Sequence, residues 1–129
     1  MKKNNGFSLI ELLVVLAIVG ILVAVGFPSY KQFLVEGRRV DAHHLLLVNA
    51  GRLTKCLTLG GSYSNNCRLL QESREGYYTL NADLTAQTWT ISTTPHPEKS
   101  QSKDDGCQSI SLTHIGVKGP FANGTVNCW

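Results

Sequence analysis

From Phe7 to Phe27 the chain runs for 21 residues with one charge, Glu11. As a helix rising 1.5 Å per residue, this run spans about 30 Å, one hydrocarbon thickness. Lipid offers the backbone no hydrogen-bond partners, so such a run is expected to be helical despite its valines. Lys2 and Lys3 precede it and are expected to stay cytoplasmic, since basic flanks are retained on that side. A secretory signal has a shorter apolar core and is cut behind it. No A-x-A site follows here, which points to a retained anchor. Glu11 is costly in such a place: a charge at mid-bilayer costs about 2.5–3.5 kcal/mol on insertion scales. Near the cytoplasmic end the cost falls, but the acid still calls for a partner cation.

Pro28 has no amide hydrogen and is expected to kink or loosen the turn behind it. Gly20 and Gly26 lower local helix propensity. The helical pattern nonetheless resumes in YKQFLVEGRRVDAHHLLLVNAGRLTKCL, residues 30–57. Leu46, Ala50, Leu53 and Leu57 fall at helical spacing, with Val40 and Leu47 widening the stripe. Lys31, Arg38, Asp41, Asn49 and Arg52 are read as polar surface. One helix from about residue 7 to about residue 57 would measure on the order of 75 Å. Its second half is amphipathic and needs a surface to pack on.

The rest of the chain can supply that surface. Residues 59–67 form a Gly/Ser/Asn-rich break. Residues 77–93, YYTLNADLTAQTWTIST, read as two strands around a turn: Tyr78, Leu80 and Leu84 alternate on one, Trp89 and Ile91 on the next. Residues 95–106 read as a polar, proline-containing loop. A third strand follows in 107–119, with Ile110 and Leu112 alternating. Asn123-Gly124-Thr125 fits a glycosylation acceptor but suits a tight turn better. The fold expected is therefore α+β, a long N-terminal helix packed on a small antiparallel sheet.

The four cysteines, 56, 67, 107 and 128, suggest two disulfides in an exported domain. Three pairings exist; Cys56–Cys67 with Cys107–Cys128 closes the shortest loops and is preferred. Zinc would favour close ligand pairs such as C-x-x-C, and none occurs. His43 and His44 are adjacent, so on a helix they point about 100° apart and cannot act as an i, i+4 metal pair. His96 and His114 fall in a loop and a strand. No G-x-S-x-G elbow and no phosphate-binding loop is present. No enzyme activity, metal or cofactor is expected. Trp129, directly after Cys128, is expected to pack on the sheet edge or to meet a neighbour.

The basic leader, G-F-S-L-I-E, an apolar helix, a proline, an amphipathic extension and a cysteine-paired sheet together resemble the type IV pilin family. Gly6, Phe7, Ser8, Leu9, Ile10, Glu11, Leu12 and Leu13 carry the motif, with Pro28 and Tyr30 beyond it. Gly61–Tyr63, Tyr77–Tyr78, the ISLTHIGVKG stretch and the final C-W resemble the PilE-like minor pilins. The resemblance implies a type IV pilin fold with a disulfide-closed C-terminal loop. It divides the chain into a leader (1–6), a transmembrane and assembly helix (7–28) and a periplasmic or extracellular head (29–129). A prepilin peptidase would cut between Gly6 and Phe7 and methylate the new Phe7 amine. The subunit would wait in the bacterial inner membrane, head in the periplasm. The assembly platform would then extrude it into a surface fibre with other pilin subunits. Glu11 would there face the Phe7 ammonium of a neighbouring subunit, and Pro28 would mark a segment that melts on packing.

The implied roles are pilus biogenesis, adhesion, twitching motility or DNA uptake. A DNA-binding competence pilin and a pseudopilin of a type II secretion system are the alternatives. The net charge is +3, from 12 Lys and Arg against 9 Asp and Glu, which does not by itself imply a nucleic-acid partner. Lys99 and Lys103, with Lys118, are the candidate DNA contacts; three lysines can meet a few phosphates, giving weak, salt-sensitive binding. No aromatic interleaving suggests a base-stacking platform.

Overall fold

The computed structural model describes residues 6–63, 67–119 and 128–129. Residues 1–5 of the expected leader and the expected turn at Asn123–Thr125 lie outside them. Helix α1 covers Leu9–Gly60 and includes Pro28. The chain divides into two compact units, Met1–Leu34 and Val35–Trp129.

In the first unit every residue from Gly6 to Phe33 is exposed. Ser8 caps the helix: its carbonyl accepts the amides of Glu11 and Leu12 at 3.1 and 3.2 Å. The Glu11 carboxylate reaches back to the Ser8 amide at 3.5 Å. S-L-I-E thus has the form of a capping box, in which the acid three residues into the helix serves a free amide at its start.

The second unit is a four-stranded antiparallel meander, β1 (Tyr78–Leu84), β2 (Trp89–Pro95), β3 (Ile110–Thr113) and β4 (Lys118–Gly119), in the order β1-β2-β3-β4. Register pairs Leu84 with Trp89, Ile91 with Leu112, and Leu112 with Lys118. Tyr78, Leu80, Trp89, Ile91, Ile110 and Leu112 alternate inward and meet Ala42, Leu45, Leu46 and Leu53 of α1 in one core. The 71–73 segment covers part of the outer β1 edge: Leu80 donates to Gln71 O at 2.7 Å, and Ser73 to Tyr78 O at 2.9 Å. Gly76 makes the turn between them possible at φ +71°, a conformation that costs a Cβ-bearing residue more.

Three expectations are corrected. Val40 and Leu47 are 63% and 57% exposed, while Ala42 and Leu45 are buried. At 100° per residue, Val40 and Leu47 lie roughly 100–120° around the helix from Leu46, outside the sector that faces the sheet. Asn49 falls inside that sector and is buried, not surface. Its amide bonds Leu45 O and Leu70 O at 3.0 Å each, and it accepts the Leu70 amide at 2.8 Å. Finally, the polar loop at 95–106 contains a short 3-10 helix, η1 (Ser100–Lys103), with Gln101 and Asp104 buried.

Disulfides join Cys56 to Cys67 and Cys107 to Cys128, with Cα separations of 5.9 and 5.8 Å. Bridges closing loops of this size stabilise by about 3 kcal/mol each, largely by restricting the unfolded chain. A head of this size gains from them because its core is small.

Candidate functional site

Two surfaces carry the residues singled out above. On the first unit, Gly6, Phe7 and Ser8 precede α1 in non-helical backbone, and Phe7 is 87% exposed. The Gly6–Phe7 bond is thus outside the hydrogen-bonded helix. Behind it α1 is long and apolar enough to cross a membrane, and none of its apolar window is buried. Glu11 is exposed on this surface. Among the described residues its side-chain hydrogen bond, to the Ser8 amide, is long at 3.5 Å. The carboxylate therefore keeps acceptor capacity for a cation from elsewhere. The S-x-x-E spacing is the sequence signal for this capping role, which the acid's charge within an apolar run obscures. Lys31 lies along α1 with its ammonium 4.5 Å over the Phe27 ring.

On the head, Lys99 and Lys103 bracket η1 with both side chains exposed, and Lys118 is exposed on β4. The η1 loop is fastened to α1 by a buried polar cluster. Arg39 forms a two-pronged pair with Asp104, 2.8 Å on each prong. The side chains are 13% and 4% exposed. The hydrogen bonds to Asp104 hold the guanidinium pKa above its usual value, against the opposing effect of burial. The Gln101 amide nitrogen faces Val35 O at 3.0 Å, Tyr78 Oη at 2.8 Å and Asp104 Oδ2 at 3.2 Å. Burial pushes the Tyr78 phenol up to about 12. Arg38 adds a hydrogen bond to Ser100 Oγ at 2.6 Å and lies 4.7 Å over Tyr77. Fixing η1 in this way gives Lys99 and Lys103 a set spacing, which lysines on a free loop would lack.

Lys118 is engaged differently. Its ammonium sits 4.6 Å over the Trp129 ring, a cation–π contact. Trp129 in turn stacks on His43 of α1, ring centroids 4.8 Å apart and planes 8° off parallel. His43 Nε2–H donates to the Cys128 carbonyl at 2.6 Å. The indole thus packs on the helix, with the edge strand contributing Lys118. A groove of about 350 Å³ lies on the head, lined by Val40, Asp41, His44, Arg74, Glu75 and Tyr77 among others. It carries charges of both signs around an apolar floor. Among the described residues no group of three or more His, Cys, Asp or Glu side chains converges as a metal site would require.

Comparison with known proteins matches both parts of the chain. Residues 1–27 match the prokaryotic N-terminal methylation motif. Residues 28–111 match the family described as type IV minor pilin ComP, DNA uptake sequence receptor. A probable minor fimbrial protein of Dichelobacter nodosus is 36% identical over 75 residues, 52% of this chain and 45% of that protein. The chain thus spans less than half the length of this curated relative. A type IV pilin from Shewanella oneidensis of known structure is 29% identical, with a TM-score of 0.56 over 74% of this chain and 97% of that one. The Neisseria meningitidis non-core minor pilin PilV shares the fold at 16% identity, with a TM-score of 0.60 over 74% of this chain and 94% of its own.

Proposed function

This chain belongs to the family of type IV minor pilins described as ComP, DNA uptake sequence receptor, and from that premise we propose that it is a pilus subunit that binds DNA for uptake. The observation that carries the proposal is the joining, in one chain, of an N-terminal methylation motif to a head that matches this family. No catalysis is assigned to the chain; the chemistry is done to it.

Cleavage falls between Gly6 and Phe7, with methylation of the Phe7 amine, and a prepilin peptidase is the enzyme. Before assembly the apolar helix holds the subunit in the inner membrane with its head in the periplasm. The platform protein then passes it into the fibre, where other pilins replace lipid around the helix. Glu11 pairs there with the Phe7 ammonium of a neighbour. Removing one partner of such a buried pair typically costs about 3–5 kcal/mol, so the pair fixes axial register. Pro28 allows local loosening of α1 during packing. Lys99, Lys103 and Lys118 meet DNA phosphates.

The test is Glu11→Val in the native host, with sheared fibres and membranes blotted for the subunit. We expect cleaved protein to accumulate in membranes and vanish from fibres, and DNA uptake to fall with it. Normal incorporation of the variant would refute the charge pairing. Absence of wild-type protein from fibres would refute the pilus assignment.

A further inference from the structure

We propose that the β3–β4 turn is a wedge for duplex DNA, with Ile115 inserted from the minor groove between two base pairs and Lys118 holding an adjacent phosphate. The inference rests on the DNA-uptake reading above and names how that DNA is engaged. The turn lies beyond the residues matched by the family.

The turn breaks a local rule. Tight turns draw on Gly, Asn, Asp, Ser and Pro, each for a conformational reason. Here His114-Ile115-Gly116-Val117 places two β-branched aliphatics around one glycine. Ile115 is 72% and Val117 54% exposed, so neither serves the core. Departures of this kind, without a local gain, concentrate where a protein does its work.

The turn is also rigid without help from those side chains. The Gly116 amide donates to Thr113 O at 2.9 Å, with Gly116 at φ +82°. Thr113 donates to Val117 O at 3.0 Å, and the Val117 amide to Thr113 Oγ1 at 3.1 Å. The His114 amide reaches across to Trp89 O at 3.0 Å, tying the turn to the start of β2. Ile115 is therefore presented on a fixed apex, and little conformational freedom has to be lost when it binds.

Charge selects the partner. No carboxylate occurs anywhere from Cys107 to Gly119, whereas His114 and Lys118 flank the apolar pair. Lys118 is held in place over Trp129. The groove beside α1 differs: Asp41 and Glu75 offset Arg38 and Arg74 there, so it offers a polyanion little. An exposed apolar side chain beside a lysine, on a stretch without carboxylates, suits the duplex minor groove. There a wedge parts a base step while the ammonium takes up a phosphate. Pyrimidine–purine steps, which unstack most readily, would be the preferred site.

The test uses the full chain in detergent and duplexes carrying 2-aminopurine at successive TA steps, a probe that brightens when unstacked. Wild-type protein should raise the fluorescence at one step. Ile115→Ala should abolish the rise and weaken binding about tenfold, as loss of a buried aliphatic side chain does, while leaving the salt dependence unchanged. Ile115→Leu should restore both. Lys118→Ala should lower the salt slope by about one and keep the fluorescence rise when saturated. Ile115 is exposed, so the variants are expected to fold, and circular dichroism checks this. If Ile115→Ala binds like wild type and no probe brightens, the wedge is overturned while the DNA reading stands. If Ile115→Ala changes only self-association in sedimentation, the turn is a protein contact and the wedge is again overturned. If wild type binds no duplex, both readings fall together.

Discussion

Asp104 and Tyr78 show how single polar residues hold this head together. Asp104 is nearly buried and takes both prongs of Arg39. Asp104→Ala would leave the guanidinium facing an unfilled site, and such a loss costs on the order of 3 kcal/mol. Chemical denaturation should therefore show a lowered midpoint, and, on the DNA-binding reading proposed above, DNA affinity should fall because Lys99 and Lys103 lose their fixed spacing. Tyr78 gives a pH signature. Its phenol is buried and its pKa raised to about 12, so ionisation is harder in the folded state than in the unfolded one. The stabilising contribution is complete below the ordinary value of about 10 and is lost as pH rises through about 12. A shift of this size corresponds to roughly 2–3 kcal/mol. Stability of the wild type should therefore drop more steeply between pH 10 and 12 than that of Tyr78→Phe, measured by denaturant titration across that range. Equal slopes would mean the phenol is not the titrating group.

At the scale of elements, α1 carries two apolar populations that a linear pattern merges. Leu46 is fully buried and Leu47 is 57% exposed, although they are neighbours. Leu46→Ala should cost about 2–5 kcal/mol, and Leu47→Ala no more than about 0.5 kcal/mol. Denaturation midpoints of the two variants check the helix orientation directly. The strands were easier to read because their period is two and their buried side is unambiguous: Tyr78, Leu80, Trp89, Ile91, Ile110 and Leu112 all alternate inward. β4 escaped notice because a two-residue strand carries no period. η1 escaped for a related reason. Its run, SQSK, has no apolar residue, and what holds it is a glutamine amide aimed at Val35, Tyr78 and Asp104.

Across the whole molecule the disulfides extend what the core can hold. Cys107–Cys128 brings Cys128 and Trp129 to α1, where the Cys128 carbonyl accepts from His43 and the indole stacks on the same ring. Cys107→Ser with Cys128→Ser should cost about 3 kcal/mol from the restored chain entropy. Trp129 fluorescence should shift toward that of a solvated indole as the stack is released. An unchanged spectrum would show that the stack holds without the bridge.

The linear sequence alone sufficed for what depends on near neighbours. The long apolar helix, the N-terminal methylation motif and the strand alternation all rest on residues within a few positions of one another. Helical rise and hydrophobic transfer act at that range. Tertiary structure decided which polar groups are buried. Arg39 and Asp104 stand 65 residues apart, Asn49 and Leu70 stand 21 apart, and His43 and Cys128 stand 85 apart. A polar side chain is buried only where a distant segment supplies its hydrogen-bond partner, and no local pattern encodes that partner. The exposure of Ile115 was hidden for the same reason: an aliphatic residue in a strand-like stretch looks like core until the fold shows that, among the described residues, it stands exposed.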